Sequence, residues 1–323
     1  MSNHWSEITE RGSSVGLFAL LQVYKILGHR FCSVIVAIVV AYFFISNSKS
    51  RHASLKYLNK VYQSNASNLT PPPNFWTAYK HFLNFGLSSL DKVSSWAGKV
   101  KRGSVQFDQS NILINHAQNK QGAIIVSAHL GNIELSRALA ENIDEVTMNA
   151  LVFTQHAQIF NNALNKINPD YKNHLIQVND MGPETSIMLK NKIDAGEMVV
   201  VMGDRTAVNS NSRNCPIDFF DEPALFSQGP IILASLMKCP LYLMLCIKEQ
   251  DGYHIHLELI SDIIHLSRKN RQQDIEKYLH LYVNRLEFYC KKNPLQWFNF
   301  FDFWKSSNPT NIKFKPTKTQ TDK

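Results

Sequence analysis

The chain is short of the residues that build disulfide frameworks and metal centres. Its five cysteines, Cys32, Cys215, Cys239, Cys246 and Cys290, are odd in number and contain no C-x-x-C pair. Neither a disulfide scaffold nor a structural zinc site is expected, and a reducing cytosolic face fits best. No H-E-x-x-H segment occurs, and the closest histidine pair is His254-x-His256, so the usual signature of catalytic zinc is missing. No internal repeat is visible. Basic residues are scattered without a recognised binding motif, which sets nucleic-acid recognition aside. A single unbroken apolar run of about 20 residues, the length of an unaided membrane crossing, is also lacking.

What is present is 323 residues with 44% apolar content, enough for one large core or two modest ones. The 34 basic and 26 acidic side chains leave a net charge of +8, which suits an anionic membrane surface, a nucleic acid or a phosphate-bearing substrate. Two apolar stretches, Val15 to Leu27 and Phe31 to Ile45, crowd the first fifty residues. Lys25, His29 and Arg30 precede the second, and Lys49, Arg51 and His52 follow it. No small-residue cleavage site follows, and Met1 to Arg11 is polar with mixed charge, which argues against a removed signal peptide. Residues 1–50 therefore read as an apolar helical hairpin or interfacial anchor, with buried core helices as the alternative. The positive flanks on both sides leave orientation open.

From residue 51 the pattern is helical, with a break at Pro71-Pro72-Pro73. After Gln121, short apolar runs alternate with segments of helical period: Ala123 to Ser127 then Ile133 to Ile143, Val146 to Phe153 then Ile159 to Ile167, Leu175 to Val178 then Thr185 to Ile193, and Met198 to Met202 with a later helix from Pro230 to Met237. This rhythm predicts an α/β fold, a mostly parallel central sheet flanked by helices. Leu241 to Ile247 and Tyr253 to Ile260 around Asp251-Gly252 read as a closing β-hairpin, and Gln272 to Lys291 as a final amphipathic helix before Pro294. The α/β domain is placed at 51–305 and a basic disordered tail at 306–323.

The segment Ala123-Ile-Ile-Val-Ser-Ala-His129-Leu-Gly131-Asn132-Ile-Glu134 carries the chemistry. An apolar strand runs into a Gly-Asn turn that opens a helix, so His129 stands at the strand's carboxyl end, where open α/β sheets bind ligands. Glu134 lies five positions on, about 140° round an ideal helix. The two can meet only if His129 stays on the turn and Glu134 reaches back from the first helical turn. A carboxylate on one ring nitrogen would fix the tautomer and leave the other nitrogen to remove a proton.

His129 and Glu134, in Ala-His-Leu-Gly-Asn-Ile-Glu, resemble the H-x4-D/E signature of the lysophospholipid acyltransferase superfamily. The surroundings resemble its lipid A late-acyltransferase branch. The likeness includes His4-Trp5-Ser-Glu7, Glu10-Arg11-Gly12, Gly203-Asp204-Arg205, Phe219-Phe220-Asp221-Glu222-Pro223-Ala224, Gly229-Pro230, Leu233-Ala234 and the closing run Gln296 to Trp304. It is especially close to a bacterial subgroup of predicted acyltransferases, some of which accompany aryl-polyene or other specialised lipid pathways.

The resemblance implies acyl transfer from acyl carrier protein or a coenzyme A thioester to a hydroxyl or amine of a lipid acceptor. It implies no metal or nucleotide cofactor, and a site on the cytosolic face of the inner membrane. His129 would act as base and Glu134 as its orienting partner. The amides at Gly131 and Asn132 are candidates for an oxyanion site, with a simple tight turn as the alternative. Asp204 and Arg205 end a later strand, and Arg205 is either a clamp for a phosphate or carboxylate or half of a structural pair. Arg213 belongs to a polar loop, Val208 to Pro216, read as a cover over the site. Asp221 stands where the family usually has Gly and Gln228 where it often has Pro. Gln155 and His156 stand where lipid A enzymes carry a cation. Two other readings remain: a metal-dependent hydrolase on His129, Glu134, His156, His174 and Asp204, and a non-catalytic lipid-binding homologue. The aromatic run 297–304 reads as core packing or as a belt at headgroup level.

Overall fold

The computed structural model describes residues 14–64, 68–96, 105–140, 146–152, 175–177, 182–206 and 213–304. The chain opens with three helices, α1 (Ser14–Ser46), α2 (Ser48–Gln63) and α3 (Phe75–Trp96). The two apolar stretches predicted as a hairpin form one element, α1, whose helical pieces meet at Gly28 without an intervening loop. Gly28 supplies the break because its φ of 75° with ψ of −179° is open only to glycine. Asn47 caps α2 by accepting from the Ser50 amide.

Then follow β1 (Val105–Gln106), α4 (Ser110–Gln118), β2 (Ile124–Ser127), α5 (Ile133–Ala140), β3 (Met148–Val152), β4 (Leu175–Gln177), α6 (Pro183–Asp194) and β5 (Met198–Met202). The chain continues through β6 (Asn214–Phe219), β7 (Glu222–Ser227), α7 (Gly229–Met237), β8 (Leu241–Lys248), β9 (Tyr253–Ser261) and α8 (Arg271–Lys292), and closes with a short 3₁₀ turn at Pro294–Gln296. The central sheet has seven strands in the order β1-β9-β8-β2-β5-β3-β4, parallel throughout except for the β8/β9 hairpin. The predicted architecture is the observed one.

The sheet is covered on both faces, which is why its strands read as unbroken apolar runs. Ile124 and Val126 of β2, Val199 and Val201 of β5, and Leu243, Leu245 and Ile247 of β8 enter one core with α7 and α8. Ile125, Met198, Val200, Met244 and Cys246 enter the other with Leu113 of α4 and Leu135 of α5. Alternate residues on one strand thus serve opposite layers.

Two features escaped the sequence reading. β1 is only two residues long, too short for any periodicity. β6 and β7 form a separate two-stranded hairpin, so the expected polar loop at Val208 to Pro216 is partly strand; residues 207–212 lie outside the described residues. The turn of this hairpin puts Phe220 and Asp221 at φ 53° and 59°. Two successive left-handed residues are what a tight primed turn requires. They account for the usual Gly at position 221, and aspartate is among the few side chains that tolerate the conformation. The helix expected at Ile159 to Ile167, the motif residues His4 to Gly12, and the basic tail 306–323 also lie outside the described residues.

Candidate active site

Strand register builds the site. β2 and β5 are parallel neighbours with Ser127 opposite Met202. Two residues beyond those partners stand His129 and Asp204, so the sheet itself delivers an imidazole and a carboxylate to the same edge. The His129 Nδ1–H donates to Asp204 Oδ1 at 2.7 Å, and the His129 amide donates to Oδ2 at 2.8 Å.

Oδ2 also accepts from Trp297 Nε1 and from Asn299 Nδ2, each at 3.0 Å. Asp204 is fully buried, whereas the His129 side chain keeps 32% exposure. The carboxylate is therefore a fixed internal group and the imidazole the member that substrate can reach. Burial opposes ionisation of Asp204. The His129 ring, its backbone amide and the neighbouring Arg205 outweigh that opposition and hold the carboxyl down at about 2. For His129, burial is the largest influence and pushes its pKa below the ordinary histidine value. Arg205 and Lys92 push the same way, and Asp204 pulls it back up.

Several bonds hold the turn after His129. The Gly131 amide donates to Gln296 O at 2.9 Å, the Asn132 amide to Cys246 O at 2.7 Å, and the Phe298 amide to His129 O at 2.8 Å. This arrangement favours the tight-turn alternative over the oxyanion site. Both amides considered for that site already donate to backbone carbonyls, and here they hold the turn. The Asn132 side chain adds a bond to Ser88 O on α3. Gly131 has φ 77°, and a Cβ there would lie 2.0 Å from Cys246 O. Gly131→Ala is accordingly expected to lower stability by at least about 1–3 kcal/mol, read as a fall in the urea midpoint at unchanged slope.

Beneath the pair lies a second tier. His81 of α3 is fully buried and donates Nε2–H to Trp297 O at 2.9 Å, while its Nδ1 accepts from the Ser54 hydroxyl of α2 at 2.9 Å. Burial lowers His81 to about 4, so it is neutral at physiological pH. Trp297 packs in tilted and edge-to-face contacts among Tyr57, Phe219 and Phe303. The aromatic run is thus core for the most part, with Trp297 and Asn299 turned to the Asp204 carboxylate. Arg205 lies half-buried with its guanidinium 5.1 Å from the centre of the Phe301 ring.

The remaining predicted residues fall as follows. Glu134 sits half-buried in the first turn of α5, and the carboxylate on His129 Nδ1 is that of Asp204. Arg213 is exposed at the head of β6, its carbonyl accepting from the Gln228 amide. Gln155, His156 and His174 lie outside the described residues. Among the described residues, the three-ligand cluster that meets metal spacing is Glu249, Asp251 and His254 on the β8/β9 hairpin, and it includes neither His129 nor Asp204. Both Asp204 oxygens take N–H donors, an arrangement suited to orienting a histidine rather than to ligating a cation.

Sequence reasoning missed Trp297 and Asn299 as supports of the site and gave Asp204 a substrate-binding role. The signal for Asp204 was available: His129 and Asp204 each stand just past the end of an apolar strand, at matching offsets. Residues 81–306 match the family model described as bacterial lipid A biosynthesis acyltransferase, a span that includes His129, Asp204, Trp297 and Asn299 and covers more than half of the chain. No curated protein matches the chain.

Proposed function

Because the chain belongs to the bacterial lipid A biosynthesis acyltransferase family, we propose that it moves an acyl chain from an acyl carrier protein or coenzyme A thioester to a hydroxyl or amine of a lipid acceptor, with His129 as general base. The observation that carries this reading is the His129–Asp204 pair, a partly exposed imidazole backed by a buried, ionised carboxylate. With Nδ1–H donated to Asp204, Nε2 is the ring nitrogen that accepts the acceptor's proton.

The acceptor oxygen or nitrogen then attacks the thioester carbonyl carbon, giving a tetrahedral intermediate. When the carbon–sulfur bond breaks, the imidazolium returns its proton to the departing thiolate. Asp204 steadies the imidazolium between the two transfers. Arg205, beside His129 and over Phe301, is the group proposed to hold a phosphate or carboxylate of either substrate. Glu134, the second half of the H-x4-E signature, opens α5 just past the turn, and with His129 Nδ1 already bonded to Asp204 its proposed role is to support the turn and not to orient the base. Thioester donors and a basic, apolar amino-terminal helix favour the cytosolic face of the inner membrane.

The test is thiol release from acyl carrier protein and acyl coenzyme A donors in the presence of a lipid extract, with lipid profiling of a deletion strain beside its parent. A thiol burst that requires the extract, together with one lipid species lost on deletion, is the expected outcome. Thiol release at the same rate without acceptor would make the protein a thioesterase and overturn the transfer reading.

A further inference from the structure

The second piece of α1, Gly28–Ser46, is 19 residues long and apolar enough to cross a membrane, and 17% of it is buried against the rest of the protein. At 1.5 Å per residue it is about 28 Å long, close to the hydrocarbon thickness of about 30 Å. Length alone therefore permits a crossing, and packing decides the matter.

Cys32, Val36, Val40 and Phe44, four residues apart, face α3. The contact runs the whole length of the helix. Phe44 meets Phe75 and Phe82 at one end, and Cys32 meets Leu90 at the other. Between them Gly86 brings the backbones together, since a Cβ there would lie 2.6 Å from Val40 and 2.8 Å from Val36. His29 donates to Asp91 at 2.8 Å, which also accepts from Lys248 and Tyr253.

The opposite side of α3 grips the catalytic domain through His81 to Trp297 O, Asn84 to Leu295 O, and Asn132 to Ser88 O. The α/β domain therefore lies beside the middle of α1 rather than beyond one end. A perpendicular crossing would carry the polar groups around Asn84 and Ser88, which flank Gly86 at the middle of the contact, toward mid-bilayer depth, where unpaired polar groups are strongly disfavoured.

The outward face tells the same story. Phe31, Val34, Ile38, Tyr42 and Ile45 follow one another at spacings of three and four and form an apolar stripe; Val34 is 60% exposed, Ile38 67% and Tyr42 68%. Phe75 and Trp76 extend it at the Phe44 end. Exposed Arg30 stands near one end of the stripe and Lys49 and His52 near the other, complementary to an anionic surface.

We infer that α1 lies in the plane of one leaflet, its Phe31–Ile45 stripe sunk among the acyl chains of an anionic bilayer, so that the protein docks on the membrane from one side instead of crossing it. This rests on the reading of the chain as a lipid acyltransferase, and its test is independent of turnover.

Phe31→Cys, Ile38→Cys and Ile45→Cys place a label at seven-residue intervals on the stripe, and the five native cysteines are buried. Each full-length variant, and its His129→Ala counterpart, is labelled with an environment-sensitive fluorophore. The proteins are added to phosphatidylglycerol/phosphatidylethanolamine vesicles carrying quenchers at known depths. The expected result is equal, shallow depth at all three positions, all reduced by external dithionite, with binding several-fold weaker to zwitterionic vesicles. Depth that peaks at Ile38, or one end shielded from dithionite, means a crossing helix and overturns the inference. Unquenched labels with a concentration-dependent dimer mean that a second copy covers the stripe and overturn it equally. The His129→Ala proteins should give the same depths, so loss of acyl transfer leaves this result readable.

Discussion

Asp204→Asn is expected to lower kcat by about 10²–10⁴-fold while leaving the fold in place. The substitution keeps the shape of the side chain, and one amide oxygen can still accept from Trp297 and Asn299, which hold the carboxylate at 3.0 Å. It places an NH₂ group, however, where Asp204 now accepts from His129. The imidazole would then offer an unprotonated Nδ1 to the protein and carry its hydrogen on Nε2, the nitrogen that has to take the acceptor's proton.

The pH profile separates this role from a merely structural one. Activity of the wild type requires neutral His129, so it falls as pH drops through the histidine's pKa, which lies below the ordinary value. Asp204 raises that pKa by stabilising the imidazolium. Its loss should therefore move the acid limb to still lower pH while reducing the plateau. A variant with wild-type plateau and an unmoved limb would remove Asp204 from the mechanism. Glu134→Gln is the matched control: if Glu134 instead orients His129, that variant will move the limb and Asp204→Asn will not.

His129→Ala is expected to bring acyl transfer to background, a loss of at least about 10²–10⁴-fold if base catalysis alone disappears. Thiol release is the direct readout. The fold should survive, because the turn is held by backbone bonds that the substitution preserves: the His129 amide to Asp204 and the Phe298 amide to His129 O. The deleted ring is partly exposed and leaves no sealed core cavity. Asp204 loses one donor of four, and a modest fall in melting temperature is expected to accompany the loss of activity. Full turnover in this variant would refute the catalytic assignment altogether.

Much of this organisation was legible in the residues. Apolar runs such as Ile124 to Ser127 and Met198 to Met202 announce strands buried on both faces, and Asp251-Gly252 announces the hairpin. His129 was identifiable because an apolar strand leading into a Gly-Asn turn places it at a ligand-binding edge. Its partner was harder to find. Spacing in sequence favours Glu134, five residues away, whereas the bond that forms depends on β5 lying next to β2, and strand order is not a local property. The choice between oxyanion site and tight turn at Gly131 and Asn132 stayed open for the same reason: an N–H at a helix start looks available until Cys246 and the 3₁₀ turn arrive from more than a hundred residues downstream. The break at Gly28 was equally hidden, since glycine is compatible with a loop or a kink and only contact with α3 decides between them.

The site is finished by residues far along the chain from the strands that found it. Trp297 and Asn299 close around Asp204 from 93 and 95 positions away, after the whole sheet has been laid down. Asp204 therefore finds its full set of donors only when segments roughly a hundred residues apart have met, so the pocket is a product of the finished tertiary fold and not of any local piece of it.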